Sequence, residues 1–450
     1  MAQQNAEQKY IQMTQTPVEK LIIRLAIPSI ISMLITTVYN AADTFFIGQI
    51  STSASAAVGV CFSMMSIIQA LGFFFGQGAG ASISRALGNQ KGEQAEELAS
   101  VGFFSSILFG SLVTVLGLIF ITPLVYLLGA TETIYPYAVE YLSIILVGAP
   151  IMGASFVLNN LLRFQGYSFY GMIGVTVGGV LNVILDPLFI FTFQMGTAGA
   201  ALATVVSQFI GLVILFWLNN RHSTVKIRLR KFRIRSSHYA DIVRGGLPSL
   251  LRQGIASLAT ICLNLAAKPY GDAAIAAMSI TGKITMFTNS AMLGFGQGFQ
   301  PVCGFNYGAR LYDRVRKGYF FCVKGSFIFL SVLAVIEFFF AGQLVAVFRN
   351  DPLVIGIGSF ALKLQCLTLP CLSIIVISNM MLQTSGKVVS ASLIGSARQG
   401  FFLIPVVFIL PAVLGLTGLQ MAQPVSDFCT VCMTMPLTMK FLREMEQCEC

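Results

Sequence analysis

The sequence predicts an all-α polytopic membrane protein, with twelve transmembrane helices in two six-helix bundles related by a pseudo-two-fold axis along the membrane normal. Three observations predict this fold class: the composition, the spacing of the apolar runs and an internal repeat. Of the 450 residues, 56% are hydrophobic and only 10% are charged, and the mean hydropathy is +0.79. Soluble chains carry roughly a quarter charged residues. Lipid, rather than water, must therefore cover most of the apolar surface.

The apolar runs divide the chain into twelve spans. Their approximate bounds are 22–46, 54–83, 98–128, 133–161, 168–192, 198–219, 245–267, 273–304, 319–347, 352–380, 388–412 and 415–439. A span with its loop takes roughly 35 to 40 residues, so the length has room for about twelve. The longest polar stretch lies near the middle of the chain. We therefore predict an N-terminal lobe at 1–220, a basic linker at 221–244 and a C-terminal lobe at 245–450.

The basic residues predict the orientation of these spans. The N-terminal segment through Arg24, the loops after even-numbered spans and the C-terminal tail hold 21 of the 28 Lys and Arg, eight of them at 221–244. The loops after odd-numbered spans hold only Lys268 and Arg349. Because positive loops stay in the cytoplasm, both termini and the central linker are predicted to be cytoplasmic. The net charge of +10 then needs no nucleic-acid partner, and the basic linker is expected to touch anionic lipid.

The two halves of the chain repeat one pattern. A shift of 220 residues, which becomes 219 near the end, superimposes Arg24 on Arg244, Pro28 on Pro248, the Gly-Gln-Gly run 76–78 on 296–298, Gly88 on Gly308, Pro150 on Pro370, Asn159 on Asn379, Gly166 on Gly386 and Gly196 on Gly415. Each repeat has six spans, so both insert with the same orientation. Two such bundles facing each other across a cleft are typical of alternating-access transporters.

Acidic residues inside the spans are the strongest functional signal. Asp43 lies in the first span, and Asn182 and Asp186 lie four residues apart on one face of the fifth. Pro187 leaves the carbonyl of Val183 without its helical donor, and Pro28 in the first span and Pro187 in the fifth are candidate hinges. An acid in lipid is costly unless it has a partner or a function.

Two residues of the sixth span complete a possible binding site for a cation. Ala200 and Thr204 are four residues apart and share one helix face. If the three spans converge, carboxylate, amide, hydroxyl and carbonyl oxygens meet in one pocket. Such a set of oxygens suits Na⁺, or one proton shared between the acids. A hydrogen-bonded tie between helices is the simpler alternative.

A set of soft side chains predicts a polyspecific apolar cleft between the lobes. Its members are Met64, Met65, Phe73–Phe75, Met278, Met286, Phe287 and Met292. Lys283, in the eighth span, is a candidate cavity residue that would repel cationic substrates or pair with Asp427. No enzyme is predicted, because His222 and His238 are the only histidines and no nucleophile–base constellation is evident.

The chain resembles the multidrug and toxic compound extrusion (MATE) transporters, in the branch of the DinF and MepA-type exporters. The resemblance covers essentially the whole length and rests on Asn-x-x-Asp-Thr around Asp43, Asn-x-x-x-Asp-Pro at 182–187 and the two Gly-Gln-Gly loops. It implies that Asp43, Asn182, Asp186, Ala200 and Thr204 form a cation site. It also implies that Tyr39, Asn40 and Asn159 face the nearby cavity and that Pro28 bends the first helix as the site fills.

A second cation site, which some members of the family have in the C-terminal half, is not expected here. The seventh and tenth spans carry Arg252 and Lys363 where those members have acidic residues. Glu337 and Asp427 are instead expected to pair with lysines or arginines of the same lobe.

The predicted function is export of lipophilic, often cationic drugs and toxic compounds by antiport with H⁺ or Na⁺. The predicted setting is a monomer in a bacterial cytoplasmic membrane, with no cofactor beyond the coupling ion. A flippase for a lipid-linked oligosaccharide is the main alternative, and basic residues of the C-terminal half suit it. A major-facilitator exporter is disfavoured because its characteristic charged loop between spans two and three is not found in RALGNQKGEQAEE.

Overall fold

The computed structural model describes residues 2–448, which fold into helices joined by short loops. The α-helices are α1 Ala2–Gln15, α2 Val18–Gly48, α3 Thr52–Gly88, α4 Gly92–Ile119, α5 Ile121–Leu127, α6 Tyr135–Phe164, α7 Ser168–Pro187, α8 Gly196–His222, α9 Ser236–Ala267, α10 Asp272–Gly308, α11 Tyr312–Phe339, α12 Ala341–Phe348, α13 Pro352–Thr368, α14 Leu372–Thr384, α15 Val388–Ser396, α16 Leu403–Leu414 and α17 Leu416–Gln447. Short π-helical turns follow α7 at Leu188–Thr192 and α15 at Ala397–Phe401.

Twelve long helical segments account for the predicted spans. The N-terminal half contributes α2, α3, α4, α6, α7 and α8, and the C-terminal half contributes α9, α10, α11, α13 with α14, α15 with α16, and α17. In the described part of the chain, ten of these segments are long and apolar enough to cross a membrane. The other two, α10 and α17, are long enough but more polar, because both place polar side chains in the centre of the molecule. The predicted fold class is confirmed.

The internal repeat is visible in the backbone as well as in the sequence. Helices α3 and α10 begin and end at positions 220 residues apart, and so do α4 and α11. Left-handed backbone recurs at the same offset, with φ of 58° at both Gln90 and Arg310, and of 79° and 82° at Gly166 and Gly386. The same turns therefore connect the same helices in both halves.

The two halves meet along a seam where α2 packs on α10 and α3 packs on α9. At one end of the seam, the C-terminal ends of α3 and α10 contact each other reciprocally. A Cβ atom on Gly88 would lie 2.1 Å from the carbonyl oxygen of Phe305, and one on Gly308 would lie 2.2 Å from that of Arg85. Only glycine permits this approach of two backbones.

The N-terminal helix α1 and the basic loop lie near the end of the seam where α3 and α10 meet. On α1, Lys9 donates to the carbonyl of Gly166 at 2.7 Å, while Asn306 of α10 donates to the carbonyl of Met13 at 3.1 Å. In the loop, Lys231 forms an ion pair with Glu93 at 2.6 Å, which holds the pKa of that carboxyl below its ordinary value. Helix α9 begins inside the predicted linker, and the proposed lobe boundaries stay a prediction.

Candidate cation pocket and central cavity

The predicted cation residues come from three helices of the N-terminal half that pack on one another. Asp43 lies on α2, which packs on α7, and α7 in turn packs on α8. Asn182 and Asp186 lie on α7, one turn apart, and Ala200 and Thr204 lie one turn apart on α8. All five are buried, and Asp186 and Ala200 have no exposed surface. The helix periodicity and the packing thus place the five positions around one buried region.

Asn182 is the centre of a small hydrogen-bond network in this pocket. Its Nδ2 donates to Asp186 Oδ1 at 3.2 Å and to Thr204 Oγ1 at 3.3 Å. The Thr204 hydroxyl donates to the carbonyl of Ala200 at 3.1 Å, as Thr commonly does within a helix. The network ties α7 to α8 and fixes the orientation of the Asp186 carboxylate.

Three acceptor oxygens remain without a donor after these bonds are made. They are Asp43 Oδ1, Asn182 Oδ1 and Asp186 Oδ2. The two carboxylates are also close enough to interact electrostatically. Buried acceptors are normally satisfied, and a buried charge needs a partner. A proton or a Na⁺ ion would supply the missing positive charge, and an oxygen-only ligand set suits both. The residues present therefore fit a small hard cation.

Two prolines occupy the helices that carry the acids. Pro28 lies in the interior of α2, which remains a continuous helix through it, and is buried. Pro187 is the last residue of α7, directly after Asp186, and the chain continues as a π-helical turn. Such turns are frequent at functional sites. The acid pocket thus lies where the regular hydrogen bonding of α7 ends.

A cavity of about 560 Å³ lies between the two halves, on the side of the seam away from the chain termini. Its N-terminal wall combines aromatic and methionine side chains with uncharged polar ones, and its C-terminal wall includes several glutamines and two arginines. The N-terminal wall includes Met33, Tyr39, Asn40, Phe62, Met65, Phe73, Phe156, Asn159 and Asn160. The C-terminal wall includes Arg252, Gln253, Met286, Gln365, Arg398, Gln399, Gln423 and Asp427. This volume suits a drug-sized molecule.

Four of the predicted cavity residues line this space and two lie elsewhere. Tyr39, Asn40, Asn159 and Met286 are on its walls. Met64 is only 8% exposed and packs in the core of the N-terminal half, whereas its neighbour Met65 faces the cavity.

Lys283 is the second of these corrections. It is exposed on α10 and is not part of the cavity wall, to which the neighbouring positions Gly282, Thr285, Met286 and Asn289 of this helix contribute. A helix turns about 100° per residue, so a shift of one position changes the face. Of the remaining soft side chains, Phe73 and Met278 line the cavity, while Met292 is buried in the C-terminal core.

The cation pocket is adjacent to the cavity but separate from it. None of its five residues lies on the cavity wall in the described chain. Tyr39 lies between the two regions: it lines the cavity, one helical turn before Asp43, and interacts electrostatically with that carboxylate. A change in the charge of the pocket can therefore reach the cavity through α2.

Among the described residues, the C-terminal half has no copy of this acid pocket. The position that matches Asp43 in the second repeat is Leu263. Arg398 lies in the π-helical turn of the eleventh span, which is the fifth span of that repeat. Arg398 Nε donates to Asp427 Oδ1 at 2.7 Å, and Gln423 donates to the same oxygen at 2.8 Å. The pairing expected for Asp427 is thus present, whereas Glu337 accepts from Thr288 at 2.5 Å. Asp427 therefore has a fixed positively charged partner, whereas Asp43 and Asp186 have none among the described residues.

This contrast predicts that Asp427→Asn destabilises the protein. Removing the carboxylate leaves the Arg398 guanidinium, whose side chain is 19% exposed, without its ion pair. Loss of one partner from a largely buried pair costs about 3 kcal/mol. Thermal unfolding in detergent, followed through the intrinsic fluorescence, should show a melting temperature several degrees lower. Glu132→Gln, which removes an exposed carboxylate, is the control and should leave it unchanged.

The burial of one charged residue, Arg163, was not predicted from the sequence. The predicted fourth span ends at 161 and so leaves Arg163 in the following loop, but this residue lies in the last turn of α6 and is 3% exposed. Its Nη2 donates to Asn160 Oδ1, while Nε and Nη1 have no partner. Nothing in the sequence signalled this burial, because basic residues close to a span end usually extend to the membrane interface.

The comparison with known families decides the identity. A family model described as MatE matches residues 28–188 and 248–409, which is most of the chain. The chain belongs to the MatE family. The two matched segments begin at the paired prolines Pro28 and Pro248, and each covers five of the six spans of the repeat that the sequence and the backbone display.

Relatives and solved structures of this family resemble the chain along almost its full length. Multidrug export protein MepA of Staphylococcus saprophyticus is 26% identical over 423 residues, covering 93% of this chain and 92% of the relative. MepA of Staphylococcus aureus strain N315 is 29% identical and covers 90% of each chain. A structure described as the outward-facing conformation of a multidrug resistance MATE family transporter matches with a TM-score of 0.92 at 27% identity, over 97% of this chain and 98% of that one.

Proposed function

We propose that this MatE transporter exports lipophilic, drug-like molecules, many of them cationic, in exchange for H⁺ or Na⁺. One observation carries the proposal: two buried carboxylates with unpartnered oxygens lie beside, but outside, a drug-sized cavity between two repeated lobes. The names of the relatives favour small-molecule export over the flippase alternative.

The coupling rests on the separation of the two sites. When the pocket of Asp43 and Asp186 takes up a cation, its negative charge is neutralised and α2 no longer has the same electrostatic environment. Pro28 allows α2 to bend in response, which changes the position of Tyr39 on the cavity wall. Ion and substrate then weaken each other's binding, and this effect is reciprocal by thermodynamic necessity.

The direction of transport follows from the predicted orientation. If both termini are cytoplasmic, the closed seam of α3 and α10 faces the cytoplasm, and the cavity belongs to an outward-facing state of a plasma-membrane exporter. Both lobes and the whole cavity come from one chain, which supports a monomer as the working unit. Membrane potential adds about 2.3 kcal/mol per net charge per 100 mV, so it contributes only when exchange is not electroneutral.

Proteoliposomes with separately imposed gradients test this proposal. The purified protein is reconstituted, the vesicles are loaded with the lipophilic cation rhodamine 123, and a pH gradient or a Na⁺ gradient is imposed without the other. We expect one of the two gradients to drive the dye against its concentration difference. If neither gradient moves the dye faster than in protein-free vesicles, ion-coupled export of this cation is refuted.

A further inference from the structure

The charge of the cavity wall is uneven. In the described chain, the N-terminal wall presents aromatic, methionine and uncharged polar side chains but no charged one, and the acids Asp43 and Asp186 lie outside it. The C-terminal wall presents two guanidinium groups, Arg252 and Arg398, and one carboxylate, Asp427. Because Arg398 is already paired with Asp427, one positive charge is left over.

The remaining charge belongs to Arg252. This residue lies on α9, four positions after Pro248, and its side chain is half-buried in the cavity wall. In the described part of the chain, no carboxylate lies within ion-pair distance of it, and its guanidinium makes no hydrogen bond. A half-buried guanidinium with five unused donors is unusual, because such groups normally find an acceptor.

A second arginine lies behind the first. Arg163 is buried in the last turn of α6, three residues after the cavity residue Asn160, and its guanidinium interacts electrostatically with that of Arg252. Arg163 Nη2 donates to Asn160, which itself lines the cavity, while Nε and Nη1 are without partners. Two like charges in a low-dielectric interior raise the free energy of the empty cavity. A negative group placed at Arg252 would relieve that repulsion.

We propose that Arg252 binds a carboxylate of the exported molecule, and that Arg163 strengthens this attraction through its buried charge. A guanidinium holds a carboxylate through two parallel hydrogen bonds, a geometry that an ammonium or an amide cannot reproduce. The aromatic side chains of the opposite wall, Phe62 and Phe73, then contact the ring system of the same molecule. The inference deepens the proposed function, on which it rests, because it names the substrate class: lipophilic molecules that carry a carboxylate.

Two matched dyes test the role of Arg252. Rhodamine 110 has a free carboxylate, and rhodamine 123 is its methyl ester, so the pair differs in one charge and one methyl group. Binding is measured by fluorescence polarisation on the full-length protein in nanodiscs. We expect the wild-type protein to bind rhodamine 110 more tightly, and Arg252→Gln to weaken rhodamine 110 about tenfold while rhodamine 123 binds as well or better. Tenfold corresponds to about 1.4 kcal/mol.

Conservative and control variants separate charge from shape. Arg252→Lys should retain part of the preference, because it keeps the charge but not the fork. Lys324→Gln removes an equivalent charge from an exposed position on α11 of the same half, and should change neither affinity.

The outcomes for this inference and for export are distinguishable. If Arg252→Gln weakens both dyes equally, or neither dye, or if the wild-type protein prefers the ester, the inference is wrong while export stands. If the difference between the dyes persists but no ion gradient moves either of them in proteoliposomes, export is wrong while the assignment of Arg252 holds.

Discussion

Asp186→Asn is expected to abolish uphill export while leaving substrate binding intact. The asparagine side chain has almost the same shape and can still accept the hydrogen bond from Asn182. It removes one of the two carboxylates that attract the coupling ion, so uptake of the ion no longer changes the charge of the pocket as it does in the wild-type protein. Ion-driven efflux from proteoliposomes should fall to the rate of protein-free vesicles, and Asp43→Asn should have the same effect.

Three comparisons make this result specific to the pocket. Glu132→Gln removes an exposed carboxylate from the same half of the molecule and should leave efflux at the wild-type rate. Dye binding at equilibrium should survive in Asp186→Asn, since the residue does not line the cavity. If the single variants and the double variant all retain full ion-driven efflux, the two acids tie helices together and do not couple transport.

Gly88→Ala is expected to open the seam between the lobes. The added Cβ atom would lie 2.1 Å from the carbonyl oxygen of Phe305, whereas carbon and oxygen normally approach to about 3 Å. The backbones of α3 and α10 must therefore separate. This separation disfavours the state in which the contact between α3 and α10 closes one end of the cavity. Spin labels at the exposed positions Asn89 and Lys317, one in each half, should report a longer distance, and efflux should fall severalfold.

Gly59→Ala is the matched control for this seam. Gly59 lies on the same helix, but nothing is within 4 Å of its Cβ position. Replacement of a helical glycine by alanine at an open position stabilises the helix by up to about 1 kcal/mol. We expect the inter-label distance and the efflux rate to be unchanged in Gly59→Ala. An unchanged distance in Gly88→Ala would contradict the tight packing of the seam.

The sequence could predict those features that local periodicity determines. Asn182 and Asp186 share a face of α7 because residues four apart always do, and the hydrogen bond between them follows from that spacing. The repeat was equally accessible, because landmarks such as Gly88 and Gly308 keep one register and now face each other across the seam.

The composition of the cavity wall could not be predicted in the same way. Which face of a helix points into the cavity depends on how that helix is rotated in the bundle, and hydropathy does not report rotation when both lipid and core are apolar. Met65 and Met286 therefore line the cavity while Met64 and Lys283 do not. The edges of spans are similarly uncertain, and Arg163 consequently was not recognised as a buried charge.

We expect an energetic link between the cation pocket and the cavity. The affinity of the wild-type protein for rhodamine 110, measured in nanodiscs at equilibrium, tests it most directly. One titration lowers the pH at constant Na⁺, and another raises Na⁺ at constant pH. We predict that one of these ions weakens dye binding about tenfold, equivalent to about 1.4 kcal/mol of coupling, and that Asp43→Asn and Asp186→Asn remove the dependence. A dye affinity that is independent of both ions in the wild-type protein would show that the cation pocket and the cavity are not coupled.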